Sequence, residues 1–124
     1  MSKDPNLKEP IKVKTDLSQK HCESCEGIGK PLTAEQINHL MPQLDNNWKV
    51  QSDNKEIKRS FSFANFYETM AFVNAIAWIA NTENHHPDLE IGYNYCHVRF
   101  MTHALKGLSH NDFICAAKID ALLQ

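Results

Sequence analysis

No apolar stretch in the chain approaches the roughly 18 residues of a membrane-spanning helix, which excludes a helical span. Charge of one sign is also missing. The chain has 13 Lys and Arg against 15 Asp and Glu, for a net charge of -2. That balance supplies no electrostatic footprint for DNA or RNA, though it leaves room for an anionic ligand held by local donors. Glycine is scarce, at 4 residues, and neither G-x-G-x-x-G nor a P-loop occurs. No nucleotide-binding fold is implied. The N-terminal MSKDPNLKEPIKVKTD lacks an apolar h-region and does not read as a secretory signal. Cysteine is limited to Cys22, Cys25, Cys96 and Cys115. With 42% hydrophobic residues the chain can build its own core, so these four do not read as a secreted disulfide framework. A reducing cytoplasm is the expected location.

What is present suits one α+β domain. Residues 1–20 carry Lys, Asp and Pro without an apolar period and read as a flexible tail, leaving 21–124 as the domain. Thr33 and Gln36 have capping-box spacing, followed by Ile37, Leu40 and Met41, and Pro42 stops this short helix. Trp48 and Val50 begin a strand, and SDNK turns the chain. EIKRSFSF then alternates, with Ile57, Arg59, Phe61 and Phe63 on one parity, and Arg59 at the margin of that apolar face. Asn65 and Glu68 open the main helix, expected over about 65–81, with Phe66, Met70, Val73, Ile76, Ala77 and Ala80 as its apolar stripe. It ends at NHHP, because the residue before proline avoids helical angles.

Leu89, Ile91, Tyr93 and Tyr95 alternate as one strand, and Cys96, Val98 and Phe100 as the next, with a tight turn near Asn94. HALKGLSHND is a loop. Ser109 and Asp112 cap a last helix, about 110–122, carrying Phe113, Ala116, Ala117 and Ile119 to Leu123. The order α-β-β-α-β-β-α predicts a four-stranded antiparallel sheet with three helices on one face.

The chemistry concentrates in histidine. His21, Cys22 and Cys25 have the spacing of half a zinc knuckle, but a structural zinc site needs four ligands and a second pair is missing. A reduced pair without essential role is the plainer reading. Cys96 and Cys115 fall on core positions and read as small buried hydrophobes. His85 and His86 are adjacent, so chelation of one ion is disfavoured, and no HExxH supports it. Acid–base work suits them better, since imidazole exchanges protons near neutral pH. On strand parity His97, Arg99 and His103 face away from the helices, so they could gather with His85 and His86 beside one sheet face or rim. The plain alternative is a set of solvated histidines. Asp112 favours the helix N-terminus in any case, worth about 0.3–1 kcal/mol. A functional role would require a histidine for it to orient.

His85-His86-Pro87, Tyr93, His103 and Asp112, in this order and spacing, resemble the signature of the pterin-4a-carbinolamine dehydratase family. The tail THALKGLSHNDFICAAKID and the HCESC segment are similar to bacterial-type members, so the resemblance spans about residues 20–122. It implies the same four-stranded fold. It also implies dehydration of 4a-hydroxytetrahydropterin to quinonoid dihydropterin, which recycles the pterin of aromatic amino acid hydroxylases. The pterin is substrate, and neither metal nor organic cofactor is expected. By position, His85 and His103 match the proton-handling pair. His86, Asn81 and Asp112 match substrate-binding positions. Some relatives carry Glu where this chain has Asn81, and Glu83 is the nearby carboxylate that would have to replace it. A homodimer or homotetramer is expected. Some relatives instead act as a transcription factor's dimerisation partner or as an assembly factor, which is the alternative function.

Overall fold

The computed structural model describes residues 17–24 and 29–123. In chain order the elements are α1 (Ala34–Leu40), β1 (Lys49–Gln51), β2 (Glu56–Ser62), α2 (Phe66–Glu83), β3 (Asp88–Ile91), β4 (Tyr95–Phe100) and α3 (His110–Ala121). A 3-10 turn, Met41–Gln43, follows α1, and a second, His103–Leu105, follows β4. The four strands form one sheet in the order β1-β2-β4-β3, and every pairing is antiparallel. This is the expected α+β fold in the expected order.

Local chemistry starts each helix where the sequence predicts. Thr33 accepts the Gln36 N–H and the Gln36 side chain accepts the Thr33 N–H, so two orphan donors of α1 are satisfied. Asn65 accepts the Glu68 N–H at 2.9 Å and opens α2. Ser109 and Asp112 form the same reciprocal box at α3. Between β1 and β2, Ser52, Asp53 and Asn54 all take positive φ, which makes SDNK the turn it resembled.

The two central strands carry the core. Ile57 and Phe61 of β2 and Cys96, Val98 and Phe100 of β4 are buried, and they pack with Trp48, Ile76, Phe113 and Ile119 in one cluster. Burying such a Phe or Ile is worth about 1.5–3 kcal/mol each. Arg59 shares the inward parity but lies on an inner strand. Its guanidinium sits 4.3 Å over the Phe61 ring and reaches Asp120 of α3 at 2.7 Å.

Some boundaries and faces differ from the sequence expectation. The α2 stripe is rotated: Thr69, Phe72, Val73, Ile76, Ile79 and Ala80 are buried, while Phe66 and Ala77 are exposed. This helix has so few charges that its sequence does not mark which apolar residues face solvent. In α3, Leu122 and Leu123 lie past the helix and are exposed. Tyr93 and Tyr95 do not continue β3. Tyr95 begins β4 opposite Ser62, and the Gly92 N–H bonds the Tyr95 carbonyl at 3.0 Å. A Cβ at Gly92 would strike the Tyr95 ring, so glycine permits the close turn. Leu17 is buried in the core, ahead of the boundary expected at residue 21. Most of the expected tail, residues 1–16, and Cys25 lie outside the described residues.

Candidate active site

His85 is delivered by the way α2 ends. Asn84 takes the left-handed conformation at φ 53 and ψ 43, one of the few residue types that does so readily. The N–H groups of Asn84 and His85 both return to the Ala80 carbonyl, and Pro87 keeps the chain from resuming a helix. His85 is thereby turned inward. Its ring lies parallel to Phe100 of β4, with 6.0 Å between centroids and 6° between planes. Its Nε2 stands 2.7 Å from Oδ1 of Asp112.

Asp112 serves two elements at once. Oδ1 faces His85. Oδ2 accepts the Ser109 N–H at 2.9 Å and the Thr102 hydroxyl at 2.8 Å. The Thr102 and Ser109 hydroxyls are themselves 2.7 Å apart. Thr102, Ser109 and Asp112 are all buried, so the carboxylate is fully hydrogen-bonded and has no surface of its own. Among the described residues, the one fully buried side-chain N or O without a partner is Nε of Arg59. Among the described residues Nδ1 of His85 has no hydrogen-bond partner, and the side chain as a whole is buried.

The other nominated residues differ from this pair in lying at the surface or being paired elsewhere. His103 is exposed in the 3-10 turn directly after Thr102. That turn is closed by the Thr102 N–H donating to the Gly107 carbonyl at 2.8 Å, with Lys106 in the left-handed region. A Cβ on Gly107 would come within 2.9 Å of Pro31. His86 and Asn81 are exposed. Glu83 is occupied elsewhere: it accepts the Cys22 N–H at 2.8 Å, contacts His21 at 2.9 Å and faces Lys118 at 3.7 Å. Burial works against its charge, but these partners prevail and hold its carboxyl below the ordinary value. Glu83 thus fastens the segment ahead of α1, and the carboxylate beside the histidine is Asp112.

His97 and Arg99 do not join the set. His97 bonds the Ser60 hydroxyl at 2.7 Å and lies against Tyr95, and Arg99 pairs with Glu56 at 3.3 Å, all on the outer sheet face. His85 instead stacks on Phe100, whose side chain points inward, so the sheet separates the two groups. Among the described residues no group of three or more His, Cys, Asp or Glu is placed to hold a metal ion. Cys22 Sγ lies 3.6 Å from Cys115 Sγ, and burial pushes the Cys96 thiol up to about 11. A cleft of about 370 Å³ opens beside the starts of α1 and α3, lined by Lys30, Leu32, Gln36 and His110 among others. It touches Ser109 but none of the nominated residues.

A family profile described as pterin 4 alpha carbinolamine dehydratase matches residues 30–122. The chain belongs to this family. A protein of Legionella pneumophila (strain Lens), provisionally named pterin-4-alpha-carbinolamine dehydratase, is 77% identical over 109 residues, covering 88% of this chain and 96% of that one. One of Nitrosospira multiformis with the same provisional name is 57% identical, covering 88% and 94%. Among solved structures, a transcriptional coactivator/pterin dehydratase from Brucella melitensis superposes with a TM-score of 0.72 at 29% identity, covering 77% of this chain and all of that one. A pterin dehydratase-like protein identified as a RuBisCO assembly factor in the alpha-carboxysome superposes with a TM-score of 0.54 at 25% identity, covering 61% and 88%. Thr102, Ser109 and Phe100 were not singled out as functional from sequence. The capping box at Ser109 was the one available signal, and it pointed only to helix stability.

Proposed function

We propose that this protein removes water from 4a-hydroxytetrahydropterin, giving quinonoid dihydropterin. The reading rests on family membership, and one observation carries it: the buried Asp112 carboxylate held 2.7 Å from His85. Hydroxide is a poor leaving group, so an acid must protonate it as the C4a–O bond breaks, while a base takes a ring N–H proton. His85 and His103 are the pair for these transfers, each typically worth about 10²–10⁴-fold. His86 and Asn81, both exposed, are the residues that contact the pterin. Asp112 acts through His85, because its own oxygens are already taken. The pterin is the substrate, and the reaction as written calls for neither metal nor organic cofactor. The product would return to an aromatic amino acid hydroxylase in the cytoplasm, and the protein would work as a homodimer or homotetramer.

A second reading, a protein-interaction module, draws on the outer face of α2. Tyr67 is 84% exposed and Trp78 69%, about three helical turns apart on one side. The solved relatives described as a coactivator and an assembly factor point the same way. Stopped-flow turnover of 4a-hydroxytetrahydropterin decides between them. Under the first reading His85→Ala and His103→Ala each lose about 100-fold or more while the far-UV spectrum is unchanged. A double variant that turns over normally would remove the histidines from the mechanism, and an inactive wild-type protein would favour the second reading.

A further inference from the structure

We infer that Thr102 is a positioning residue: its hydroxyl holds the Asp112 carboxylate in the place where it accepts from His85 Nε2–H, which leaves Nδ1 as the nitrogen that exchanges the substrate's proton. The direction of the hydrogen bonds carries the argument. The Thr102 hydroxyl has one proton, and it goes to Asp112 Oδ2 at 2.8 Å. The 2.7 Å contact between the Thr102 and Ser109 hydroxyls must then use the Ser109 proton. Ser109 in turn accepts the Asn111 N–H at 3.2 Å and gives its own N–H to Asp112 Oδ2 at 2.9 Å. Every proton in the chain Ser109–Thr102–Asp112 therefore runs toward the carboxylate. A carboxylate only accepts. The proton between Oδ1 and His85 Nε2 must belong to the imidazole. In the neutral ring this leaves Nδ1 as the acceptor, and Nδ1 is the nitrogen with no partner among the described residues.

Thr102 has a second hold on the site. It immediately precedes His103, its N–H is bound by the Gly107 carbonyl at 2.8 Å, and its carbonyl accepts the Leu105 N–H at 3.0 Å. The residue that orders the His85 partner thus also anchors the turn carrying His103. One buried residue ties both histidines, His85 through its hydroxyl and Asp112, and His103 through its backbone. Outer partners that orient metal-ligating histidines cost about 10–100-fold when removed, and a loss of the same order is expected of a residue that orients a proton-exchanging one.

The kinetic arm of the test rests on the dehydratase reading, while the spectroscopic arm does not. Thr102→Val keeps the shape and removes the hydroxyl, and Thr102→Ser restores it. With ¹⁵N-labelled histidine, the wild-type His85 ring shows its proton on Nε2. In Thr102→Val the carboxylate still accepts that proton, but with Asp112 less firmly held its resonance shifts and exchanges with water faster, and the wild-type signal returns in Thr102→Ser. In parallel, kcat falls about 10–100-fold in the valine variant with KM within twofold, and the serine variant recovers most of it. Thr102→Ala makes the same comparison if the valine variant fails to fold. A wild-type ring protonated on Nδ1, or a valine variant in which the Nε2–H resonance, its exchange rate and kcat are all unchanged, overturns the inference. A wild-type protein with no turnover sinks the dehydratase reading, and the ring spectrum then judges the role of Thr102.

Discussion

Replacing Asp112 by Asn changes one oxygen to an amino group of the same size, and the local geometry dictates how the site responds. The wild-type carboxylate accepts at both ends: Oδ1 lies 2.7 Å from His85 Nε2, and Oδ2 lies 2.8 Å from the Thr102 hydroxyl and 2.9 Å from the Ser109 N. Asn offers one acceptor end and one donor end. If its oxygen stays toward Thr102 and Ser109, its NH2 faces His85, and the ring must present a bare Nε2 and carry its proton on Nδ1. If the oxygen turns toward His85, the NH2 meets the Ser109 N–H, and a buried donor is orphaned at about 1–3 kcal/mol. The first arrangement costs less, so the variant folds with the imidazole in the wrong tautomer. The analogous substitution behind a catalytic histidine in serine proteases costs about 10⁴ in kcat. A loss of about 10²–10⁴ is expected here, with unfolding free energy lower by about 1 kcal/mol. Stopped-flow turnover gives the first quantity and urea titration the second. Asp112→Asn turning over within twofold of wild type would refute the orienting role.

Glu83 makes a pH prediction. Its carboxyl lies below the ordinary value of 4.5 because the Cys22, His21 and Lys118 contacts outweigh burial. A depressed carboxyl stabilises the fold above its unfolded pKa and loses that contribution as pH falls through the folded one. The urea midpoint should therefore drop below about pH 4.5, and Glu83→Gln should flatten that drop while lowering stability at pH 7. Arg59→Ala removes the guanidinium from Asp120, which keeps only the Trp48 Nε1–H at 2.7 Å and the Asp45 N–H at 2.9 Å. Burial already raises the Asp120 carboxyl above its ordinary range despite these donors and Arg59. A loss of about 2–3 kcal/mol by urea titration is expected, and a loss under 0.5 kcal/mol would show the pair to be incidental.

How much the sequence reveals depends on the range of the interaction concerned. All three N-terminal caps were legible, because Thr33–Gln36, Asn65–Glu68 and Ser109–Asp112 each span three residues. The period-two runs of β2 and β4 were legible for the same reason, and the hairpins came from the turns between them. The α2 face was not. Phe66, Phe72, Ala77, Trp78 and Ile79 are all apolar, and only packing against β4 and α3 decides which of them reach water.

Asp112 shows where the boundary falls within a single side chain. One oxygen does local work, closing the capping box with Ser109, and that was visible in the spacing. The other reaches His85, 27 residues earlier in the chain. That contact depends on the left-handed turn at Asn84, the placement of Phe100 beneath the ring, and the docking of α3 against the end of α2. Strand parity misled in the complementary way. It put His97, Arg99 and His103 on one face, but β4 ends at Phe100, and the chain leaves the sheet before His103. His103 is governed by the Thr102–Gly107 closure instead of by pleat. The residue that ends the parity argument, Thr102, is also the one whose hydroxyl meets Asp112. The same departure from the strand that broke the sequence pattern therefore places His103 next to the Thr102–Asp112 network that holds His85.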